Sequence, residues 1–275
     1  MLYTVLGSSG FIGSHLVGYL RGSNTELFTP HRGDDSIFHR ELGHVIYCAG
    51  LTADFRTRPF DTVQAHVCHL LEVLRRAKYT SLLYLSSTRV YGGAAQAQED
   101  VSLLVNPQDA SDLYNLSKLQ GESLCFSVID KARVVRLSNV YGDDWESSNF
   151  VTTLIRAAVD EKRIVLRTSL DSSKDYIGVS EVASLLATIA RSGQARLYNI
   201  AGGVNVSNRQ IVERIQAVSG CELEVQSGAP TVSFPRIDIR RIREEFGFVP
   251  GNILDAIPEL IQHFKQWKSG QVERL

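Results

Sequence analysis

The sequence has 275 residues and a formal net charge of −1, because 29 Lys and Arg residues face 30 Asp and Glu residues. Proteins that bind nucleic acid through its phosphates usually carry a basic excess, so this balance argues against such a partner. Apolar residues make up 44% of the chain and charged residues 21%, which excludes disordered and collagen-like classes. No apolar run approaches the roughly 20 residues that span a bilayer, so we expect no membrane partner.

The four cysteines, Cys48, Cys68, Cys125 and Cys221, are widely spaced and form no CxxC pair. In a chain of this length they indicate reduced core thiols rather than disulfides or metal ligands. The N-terminal segment lacks the positive flank and the small-residue cleavage site of a signal peptide. We therefore expect a cytoplasmic protein without a bound metal ion.

The first 140 residues alternate short apolar runs with segments of helical periodicity, a pattern typical of βαβ units and a parallel sheet. The apolar runs predict strands at 2–6, 26–29, 44–48, 81–85 and 133–137. The periodic segments predict helices at 12–20, 61–77 and 113–129.

Beyond residue 142 the alternation is looser. The pattern there predicts extended segments at 164–166, 175–179 and 197–200, and helices at 150–159, 182–190, 208–218 and 257–267. Ser207 is expected to cap the helix at 208–218, and the last helix is expected to begin next to Pro258.

Three glycines lie at the junction of the first strand and the first helix, in the segment Gly7-Ser8-Ser9-Gly10-Phe11-Ile12-Gly13. Glycines at this spacing allow a tight turn and a close approach of the backbone to a pyrophosphate, and the helix N-terminus adds free N–H groups. Three glycines can also simply form a turn, but a strand-to-helix junction is the context that dinucleotide binding requires. The segment therefore predicts a dinucleotide site.

The end of the second strand bears on which dinucleotide binds. An acidic residue there would accept a hydrogen bond from the ribose 2′-hydroxyl of NAD, whereas this chain has Thr29-Pro30-His31-Arg32. A cation at this point favours the 2′-phosphate of NADP. Asp34 and Asp35 follow closely, so NAD stays possible, and Arg32 could also be an ordinary surface residue.

Together these patterns predict an α/β fold: a Rossmann-type doubly wound parallel sheet with a smaller mixed α/β C-terminal substrate-binding part. Residues 1–142 and 175–201 are expected to form the dinucleotide-binding domain. Residues 143–174 and 202–275 are expected to form the substrate-binding part.

Tyr114 and Lys118 lie four residues apart at the start of a predicted helix, so their side chains share one face. A phenol with a pKa near ~10 is a poor acid or base at neutral pH unless a nearby cation stabilises its phenolate. Ser86, Ser87 and Thr88 end the preceding strand, where parallel-sheet enzymes place catalytic groups. A YxxxK match alone is common by chance, but together with the hydroxyl residues at the end of the strand it predicts a proton-transfer site.

These residues resemble the extended short-chain dehydrogenase/reductase superfamily, in particular its NAD(P)-dependent epimerase/dehydratase group that acts on nucleotide sugars. The matching segments occur in the order and spacing of that group and span most of the chain. They are GSSGFIG (7–13), YLSSTRVYG (84–92), YNLSK (114–118), RLSNVYG (136–142), KDYIGVSEVA (174–183) and YNIAGG (198–203).

The resemblance implies a role for each of the three catalytic candidates. Tyr114 transfers the proton, Lys118 lowers the pKa of Tyr114 and holds the nicotinamide ribose, and Ser87 hydrogen-bonds the reacting sugar oxygen. Cofactor contacts are expected from Gly7, Gly10, Phe11, Ile12, Gly13, Arg32, Cys48, Ala49, Gly50, Ser86, Tyr114, Lys118 and Leu137. Substrate contacts are expected from Ser87, Thr88, Asn139 and Lys174.

Three positions depart from the pattern of the group or leave two interpretations open. Lys174 stands where the group usually has an arginine that binds a substrate phosphate. A lysine keeps the positive charge but lacks the two parallel N–H donors with which an arginine binds a phosphate. The 4,6-dehydratases follow the Ser/Thr with an Asp-Glu pair, whereas this chain has Thr88-Arg89. His66 replaces a common asparagine, and we favour a buried structural histidine over a substrate contact.

The leading hypothesis is an NADP-preferring 4-ketoreductase of a nucleoside-diphosphate 6-deoxy sugar. The alternative enzyme is an NAD-dependent nucleotide-sugar C4 epimerase, which shares every motif. A non-catalytic dinucleotide-sensing regulator is a third reading, which the presence of all three catalytic candidates disfavours. A homodimer through the helices at 61–77 and 113–129 is expected from the resemblance.

Overall fold

The structure is a computed structural model that describes residues 1–23, 25–52, 54–128 and 130–272. Within these residues the strands are, in chain order, β1 (Leu2–Leu6), β2 (Glu26–Phe28), β3 (His44–Tyr47), β4 (Ser81–Ser87), β5 (Ala132–Leu137), β6 (Asn139–Tyr141), β7 (Arg163–Leu166), β8 (Ser173–Gly178), β9 (Leu197–Ile200), β10 (Asn205–Ser207) and β11 (Glu222–Val225). The helices are α1 (Phe11–Arg21), α2 (Pro59–Val63), α3 (His69–Arg76), α4 (Asp112–Ser127), α5 (Phe150–Arg156), α6 (Val179–Ser192), α7 (Asn208–Ser219), α8 (Arg240–Phe246) and α9 (Ile253–Val272).

Six parallel strands form the main sheet in the order β2-β1-β3-β4-β5-β9. The chain runs outward from β1 to β2 and then returns to place β3 on the other side of β1. Such a reversal opens a crevice at the carboxyl ends of the strands, where ligands bind in sheets of this kind. The predicted α/β, Rossmann-type fold is confirmed.

Side chains of the main sheet are buried on both faces, as expected for a parallel sheet covered by helices. One buried cluster joins the sheet to α1 and α6, and another joins it to α3 and α4. A third cluster packs α5, α7 and α9 around Trp145, Ile155, Ile215 and Phe264. Two small sheets, β10-β8-β6 and β11-β7, complete the fold.

Local sequence signals explain several helix ends. Ser207 caps α7 as predicted: its hydroxyl accepts from the Gln210 N–H at 3.2 Å, and the Gln210 side chain accepts from the Ser207 N–H at 2.9 Å. Gly220 ends the same helix in the left-handed conformation, with φ of 68°. Pro59 begins α2, where its missing N–H has no cost.

The predicted helix at 61–77 differs from the structure in its start and in its regularity. Helical structure begins at Pro59, and a π-helical turn at Gln64–Cys68 separates α2 from α3. A second π-helical turn, Ala157–Glu161, follows α5. A π turn adds one residue per turn and shifts the apolar pattern only locally, so the 3.6-residue period does not reveal it.

The start of the last helix was also predicted wrongly, because α9 begins at Ile253 and contains Pro258 in its interior. Proline has no N–H to donate to the carbonyl of Leu254 one turn earlier. That carbonyl accepts instead from the Arg214 side chain at 3.0 Å, so the helix continues through the proline.

Three smaller predictions need correction. Helix α6 begins at Val179, so the extended segment predicted at 175–179 ends one residue earlier. Cys68 is exposed on the π turn rather than buried in the core. The helix predicted at 113–129 would end at Ile129, which lies outside the described residues, and α4 ends at Ser127.

Within the described chain, the helices are all too short or too polar to cross a bilayer.

Candidate active site

A cavity of about 600 Å³ lies at the carboxyl ends of the central strands. The turn after β1, the loop after β3 and the ends of β4 and β5 form its walls, and α4 and the start of α5 close it. The predicted site residues that line it are Gly10, Phe11, Ile12, Gly13, Cys48, Gly50, Ser86, Ser87, Thr88, Tyr114, Lys118, Leu137, Asn139 and Lys174. The structure thus brings together residues from across the chain.

The glycine turn has the geometry that the sequence predicts. Gly7 has a φ of +85°, and its carbonyl accepts from the Gly10 N–H at 3.2 Å. A Cβ on Gly13 would lie 2.2 Å from the Gly7 carbonyl oxygen, so no other residue fits there without movement. Helix α1 has no side-chain cap and no acidic residue in its first turn, which leaves its N–H groups free for an anion.

This turn fits a dinucleotide pyrophosphate, because it joins a close backbone approach to the positive end of a helix. Gly7 and Ala49 do not line the cavity. They lie in contact beneath it, where a Cβ on Gly7 would be 2.6 Å from the Ala49 nitrogen. These two residues therefore pack the end of β1 against the loop after β3, and the cofactor contacts expected of them stay a prediction.

Arg32 lies apart from the cavity, exposed in the loop after β2. Its charge acts on His69 at the start of α3, whose pKa is lowered first by burial and then by Arg32. Asp34 is engaged elsewhere, since its carboxylate accepts from the Ser36 N–H at 2.9 Å. The loop after β2 therefore offers the cation Arg32 and the exposed carboxylate of Asp35.

Tyr114 is buried in the cavity wall, with 4% of its surface exposed. Burial raises the pKa of its phenol, and the side chains of Ser87, Arg89 and Thr52 oppose that rise. The phenol is therefore protonated at neutral pH and can act as a proton donor. Ser87, at the end of β4, accepts from the Arg89 N–H at 3.2 Å.

Lys118 is held against the sheet. Its Nζ donates to the Leu85 carbonyl at 2.8 Å and lies 5.9 Å from the centre of the Tyr114 ring. Burial lowers the pKa of this lysine to about 7, with Glu122 opposing the shift. The Lys118 ammonium thus lies near the Tyr114 ring, and the role that the resemblance implies for it stays a prediction.

The sequence did not single out Arg89, Thr52 or Phe55 as site residues. Arg89 and Thr52 line the cavity, and the Phe55 ring packs against the Tyr114 ring with their centres 5.3 Å apart. A weak signal was present for Arg89, which follows Ser87 by two residues. Thr52 and Phe55 lie in a loop without periodicity, so no sequence pattern points to them.

Ser86 is a predicted cofactor contact whose hydroxyl is already engaged. It donates to Glu122 at 2.5 Å, and Glu122 also pairs with Arg136 at 2.7 Å. Both charged side chains are almost fully buried. Ser86 therefore fixes the end of β4 to α4.

His66 is buried, as the favoured reading predicted, and it joins two parts of the site. Its Nε2 accepts from the Leu51 N–H at 3.2 Å, and its Nδ1 lies 2.8 Å from the Ser117 hydroxyl. That hydroxyl donates to the Tyr114 carbonyl at 2.8 Å, so the Nδ1 of His66 must carry the proton. Burial lowers the pKa of this imidazole to about 2.

Two of the expected substrate contacts, Asn139 and Lys174, come from β6 and β8. Asn139 donates to the Asp175 carbonyl at 2.8 Å, which joins β6 to β8, so this asparagine does more than make a turn. The Lys174 Nζ lies 5.7 Å from the centre of the Phe150 ring. Burial lowers the pKa of Lys174, and Arg89 lowers it further. Both residues line the same cavity.

Comparison with known proteins identifies the family of the chain. The model of the NAD dependent epimerase/dehydratase family matches residues 3–201. GDP-6-deoxy-D-mannose reductase of Pseudomonas aeruginosa is 30% identical over 268 residues, which cover 87% of this chain and 86% of that protein.

Two solved structures share the fold. RMD from Pseudomonas aeruginosa complexed with NADPH has a TM-score of 0.77 and 26% identity, covering 95% of this chain and 99% of that one. MoeE5 in complex with UDP-glucuronic acid and NAD has a TM-score of 0.81 and 21% identity, covering 98% and 100%. The chain therefore belongs to the NAD dependent epimerase/dehydratase family, and it is an NAD(P)-dependent enzyme.

Proposed function

We propose that the protein is an NADPH-dependent 4-ketoreductase of a nucleoside-diphosphate 4-keto-6-deoxy sugar, with Tyr114 as the proton donor. The observation that carries this proposal is the single cavity that joins the glycine turn to Ser87, Tyr114 and Lys118. A relative that is 30% identical carries the name of a reductase of a 6-deoxy sugar nucleotide, which supports the same reaction class.

The residues after Ser87 argue against a dehydratase. Elimination of water from the sugar needs an acid and a base beside the reacting carbons. This chain has Thr88 and Arg89 at those positions, and Arg89 lies in the cavity. Asp112 also lines the cavity, but its carboxylate oxygens already accept from the Asn106 N–H and the Asn115 amide, each at 2.8 Å.

A nicotinamide cofactor, when bound, would supply the hydride for the keto carbon. The groups of the chain handle the oxygen: Ser87 hydrogen-bonds it, and Tyr114 gives it a proton. Gly10 to Gly13 and the N–H groups of α1 would hold the pyrophosphate, and Lys118 the nicotinamide ribose. Lys174 and Asn139 would face the diphosphate of the substrate.

The experiment that tests this function compares wild type with Tyr114→Phe on a 4-keto-6-deoxy nucleotide sugar and NADPH. Loss of the proton donor should lower turnover by about 10²–10⁴-fold, while binding of NADPH, measured by calorimetry, stays near the wild-type value. Full activity of the variant would contradict the role of Tyr114 as the proton donor. A matched control is Tyr79→Phe, which removes a hydroxyl outside the cavity lining.

The preference for NADP is part of the proposal and rests on Arg32. Replacing it with alanine should weaken NADPH binding by about tenfold, a loss of roughly 1.4 kcal/mol, and leave NADH binding unchanged. Equal losses for both cofactors would show that Arg32 does not read the 2′-phosphate.

We further propose a homodimer that forms through α2, α3 and α4, and a cytoplasmic location. Phe60, at the start of α2, exposes 88% of its surface and would be covered in such a dimer. The four cysteines are free thiols, as is usual in a reducing compartment. Sedimentation equilibrium tests the dimer, and a monomer at all concentrations would contradict it.

The division into two domains also stays a proposal, which limited proteolysis can test. One domain would comprise residues 1–142 and 175–201, and the other residues 143–174 and 202–275.

A further inference from the structure

Buried side-chain oxygens that lack a hydrogen-bond partner are concentrated in the cavity. Among the described residues, four such oxygens form no hydrogen bond, and all four belong to residues that line this cavity. They are Oδ1 of Asn115, Oγ of Ser138, Oη of Tyr176 and Oδ1 of Asn205. A buried polar atom without a partner destabilises the fold, so its place in a cavity wall indicates a ligand group that completes the bond.

The side chain of Asn115 is held in one orientation. Its surface is 6% exposed, and its amide nitrogen donates to Oδ1 of Asp112 at 2.8 Å. The other carboxylate oxygen of Asp112 accepts from the Asn106 N–H at 2.8 Å, so the carboxylate is itself fixed. Since a carboxylate only accepts, the nitrogen of the amide must face Asp112. The atom that Asn115 has left for a ligand is therefore an acceptor, its amide oxygen.

Asn115 lies on the face of α4 that is turned towards β5. Residues seven apart in an α-helix share a face, and Glu122, seven residues after Asn115, pairs with Arg136 on β5 at 2.7 Å. The glycine turn follows β1, which β3 and β4 separate from β5 in the main sheet. Asn115 therefore belongs to the half of the cavity that contains Asn139, just after β5, and not to the half that contains the glycine turn.

The chemistry of the substrate indicates which group this oxygen meets. Tyr114, the residue before Asn115, is the proposed proton donor to the oxygen on C4 of the sugar. In a 4-keto-6-deoxy hexose C6 is a methyl group, so the ring carries its hydroxyl groups at C2 and C3. The C3 hydroxyl is the one next to C4. It can donate to an acceptor beside Tyr114, whereas the methyl group on the other side of C4 has no proton to donate.

We propose that Asn115 is a specificity-determining residue, which accepts a hydrogen bond from the C3 hydroxyl of the sugar and thereby selects substrates that carry this hydroxyl. The inference deepens the proposed function and rests on it for the reaction at C4. A sugar without the C3 hydroxyl leaves the Asn115 oxygen buried and without a partner, and binding is weaker for that reason.

The test measures binding rather than turnover. The probes are the GDP, dTDP and UDP derivatives of 6-deoxymannose and of 3,6-dideoxymannose, titrated by calorimetry into enzyme saturated with NADP⁺. The nucleotide that binds most tightly is then used throughout. Wild type should bind the compound with the C3 hydroxyl about tenfold more tightly than the compound without it. In Asn115→Ala the ratio of the two dissociation constants should fall to about one.

Gln120→Ala is the matched control, because it removes an exposed amide from the same helix outside the cavity lining. It should keep the wild-type ratio. Asn115→Ala also frees the carboxylate of Asp112, but that charge acts on both compounds and cancels in the ratio. Binding of NADPH alone should be unchanged in Asn115→Ala. Weaker NADPH binding with an unchanged sugar ratio would overturn the inference and assign the oxygen to a ribose hydroxyl of the cofactor.

Equal binding of the two sugars by wild type would overturn the inference without any variant, so the test stands even if Asn115→Ala does not fold. A tenfold ratio that persists in Asn115→Ala would overturn it as well. If none of the nucleotide sugars binds, both the inference and the proposed function are contradicted. If the ratios behave as expected but the 4-keto sugar does not oxidise NADPH, the proposed function alone fails.

Discussion

At the scale of one residue, His66 connects two elements of the site by hydrogen bonds. Its two ring nitrogens connect Leu51, in the loop after β3, to Ser117 on α4, and Ser117 in turn bonds to the Tyr114 carbonyl. The ring can do this only in its neutral form, because Nε2 must accept a hydrogen bond. A π-helical turn places His66 between the two elements.

A pH dependence of stability follows from this neutral imidazole. In the folded protein the pKa of His66 is lowered to about 2, so the imidazole stays neutral, whereas in the unfolded chain it takes up a proton near its ordinary pKa of 6.5. The unfolded state therefore binds more protons below pH 6.5, and stability falls as the pH decreases through that window.

The variant His66→Asn, which cannot take up a proton, isolates this contribution. Between pH 7 and pH 5 the free energy of unfolding, measured with urea, should fall by about 2 kcal/mol more in wild type than in His66→Asn. His39 is exposed, and His39→Asn should fall like wild type. An equal fall in wild type and His66→Asn would show that His66 is not held neutral.

The sequence predicted much of the site at the residue scale. The spacing of Tyr114 and Lys118 and the polar end of β4 placed three candidates that the structure brings into one cavity. The direction of the Arg89 side chain depends on the turn Thr88–Tyr91 and on the Phe55 ring, which come from separate parts of the chain. No local pattern encodes such a long-range contact.

At the scale of elements, the turn between β1 and α1 can be tested by a single substitution. A Cβ on Gly13 would lie 2.2 Å from the Gly7 carbonyl oxygen, so Gly13→Ala must move the turn that faces the pyrophosphate. Binding of NADPH, measured by calorimetry, should weaken by about tenfold or more.

Gly18 offers a control on the same helix. It is exposed, and a Cβ there would meet no heavy atom within 4 Å. Gly18→Ala should leave binding unchanged and stabilise the helix by up to about 1 kcal/mol. Normal NADPH binding by Gly13→Ala would contradict the proposal that this turn holds the pyrophosphate.

The buried pair of Glu122 and Arg136 fastens α4 to β5. The two side chains share two hydrogen bonds, at 3.0 and 2.7 Å, and Ser86 on β4 donates to the same carboxylate. Glu122→Gln leaves the guanidinium buried without its counterion, which should cost about 3–5 kcal/mol in urea unfolding.

The surface pair of Arg58 and Asp61 is the comparison for this prediction. Both of its side chains are nearly half exposed, so Asp61→Asn should cost about 1 kcal/mol or less. A loss of similar size in Glu122→Gln would mean that the pair does not hold α4 in place.

Element boundaries show where prediction from the sequence stops. Strands of the main sheet were predicted well, because continuous apolar runs bounded by turns are typical of a buried parallel sheet. The π turn at Gln64–Cys68 and the interior Pro258 were not, because tertiary contacts compensate both. The Arg214 side chain that replaces the missing hydrogen bond comes from α7, far along the chain.

At the scale of the whole molecule, the net charge of −1 is accompanied by a cavity whose lining holds three cations and three aspartates, Asp112, Asp144 and Asp175. The predicted ligands are anionic, and the cavity meets them with Arg89, Lys118 and Lys174 and with the N-terminus of α1. Local placement of a few cations, rather than a basic surface, therefore provides the electrostatics of binding.

The most direct test of the account measures cofactor stoichiometry. The protein is mixed with a nucleoside-diphosphate 4-keto-6-deoxy sugar and NADPH, and the loss of nicotinamide absorbance is compared with the sugar product by mass spectrometry. We predict one NADPH consumed for each hydroxy sugar formed. Interconversion of two hydroxy sugars with no net change in cofactor absorbance would contradict the reductase assignment and identify a C4 epimerase.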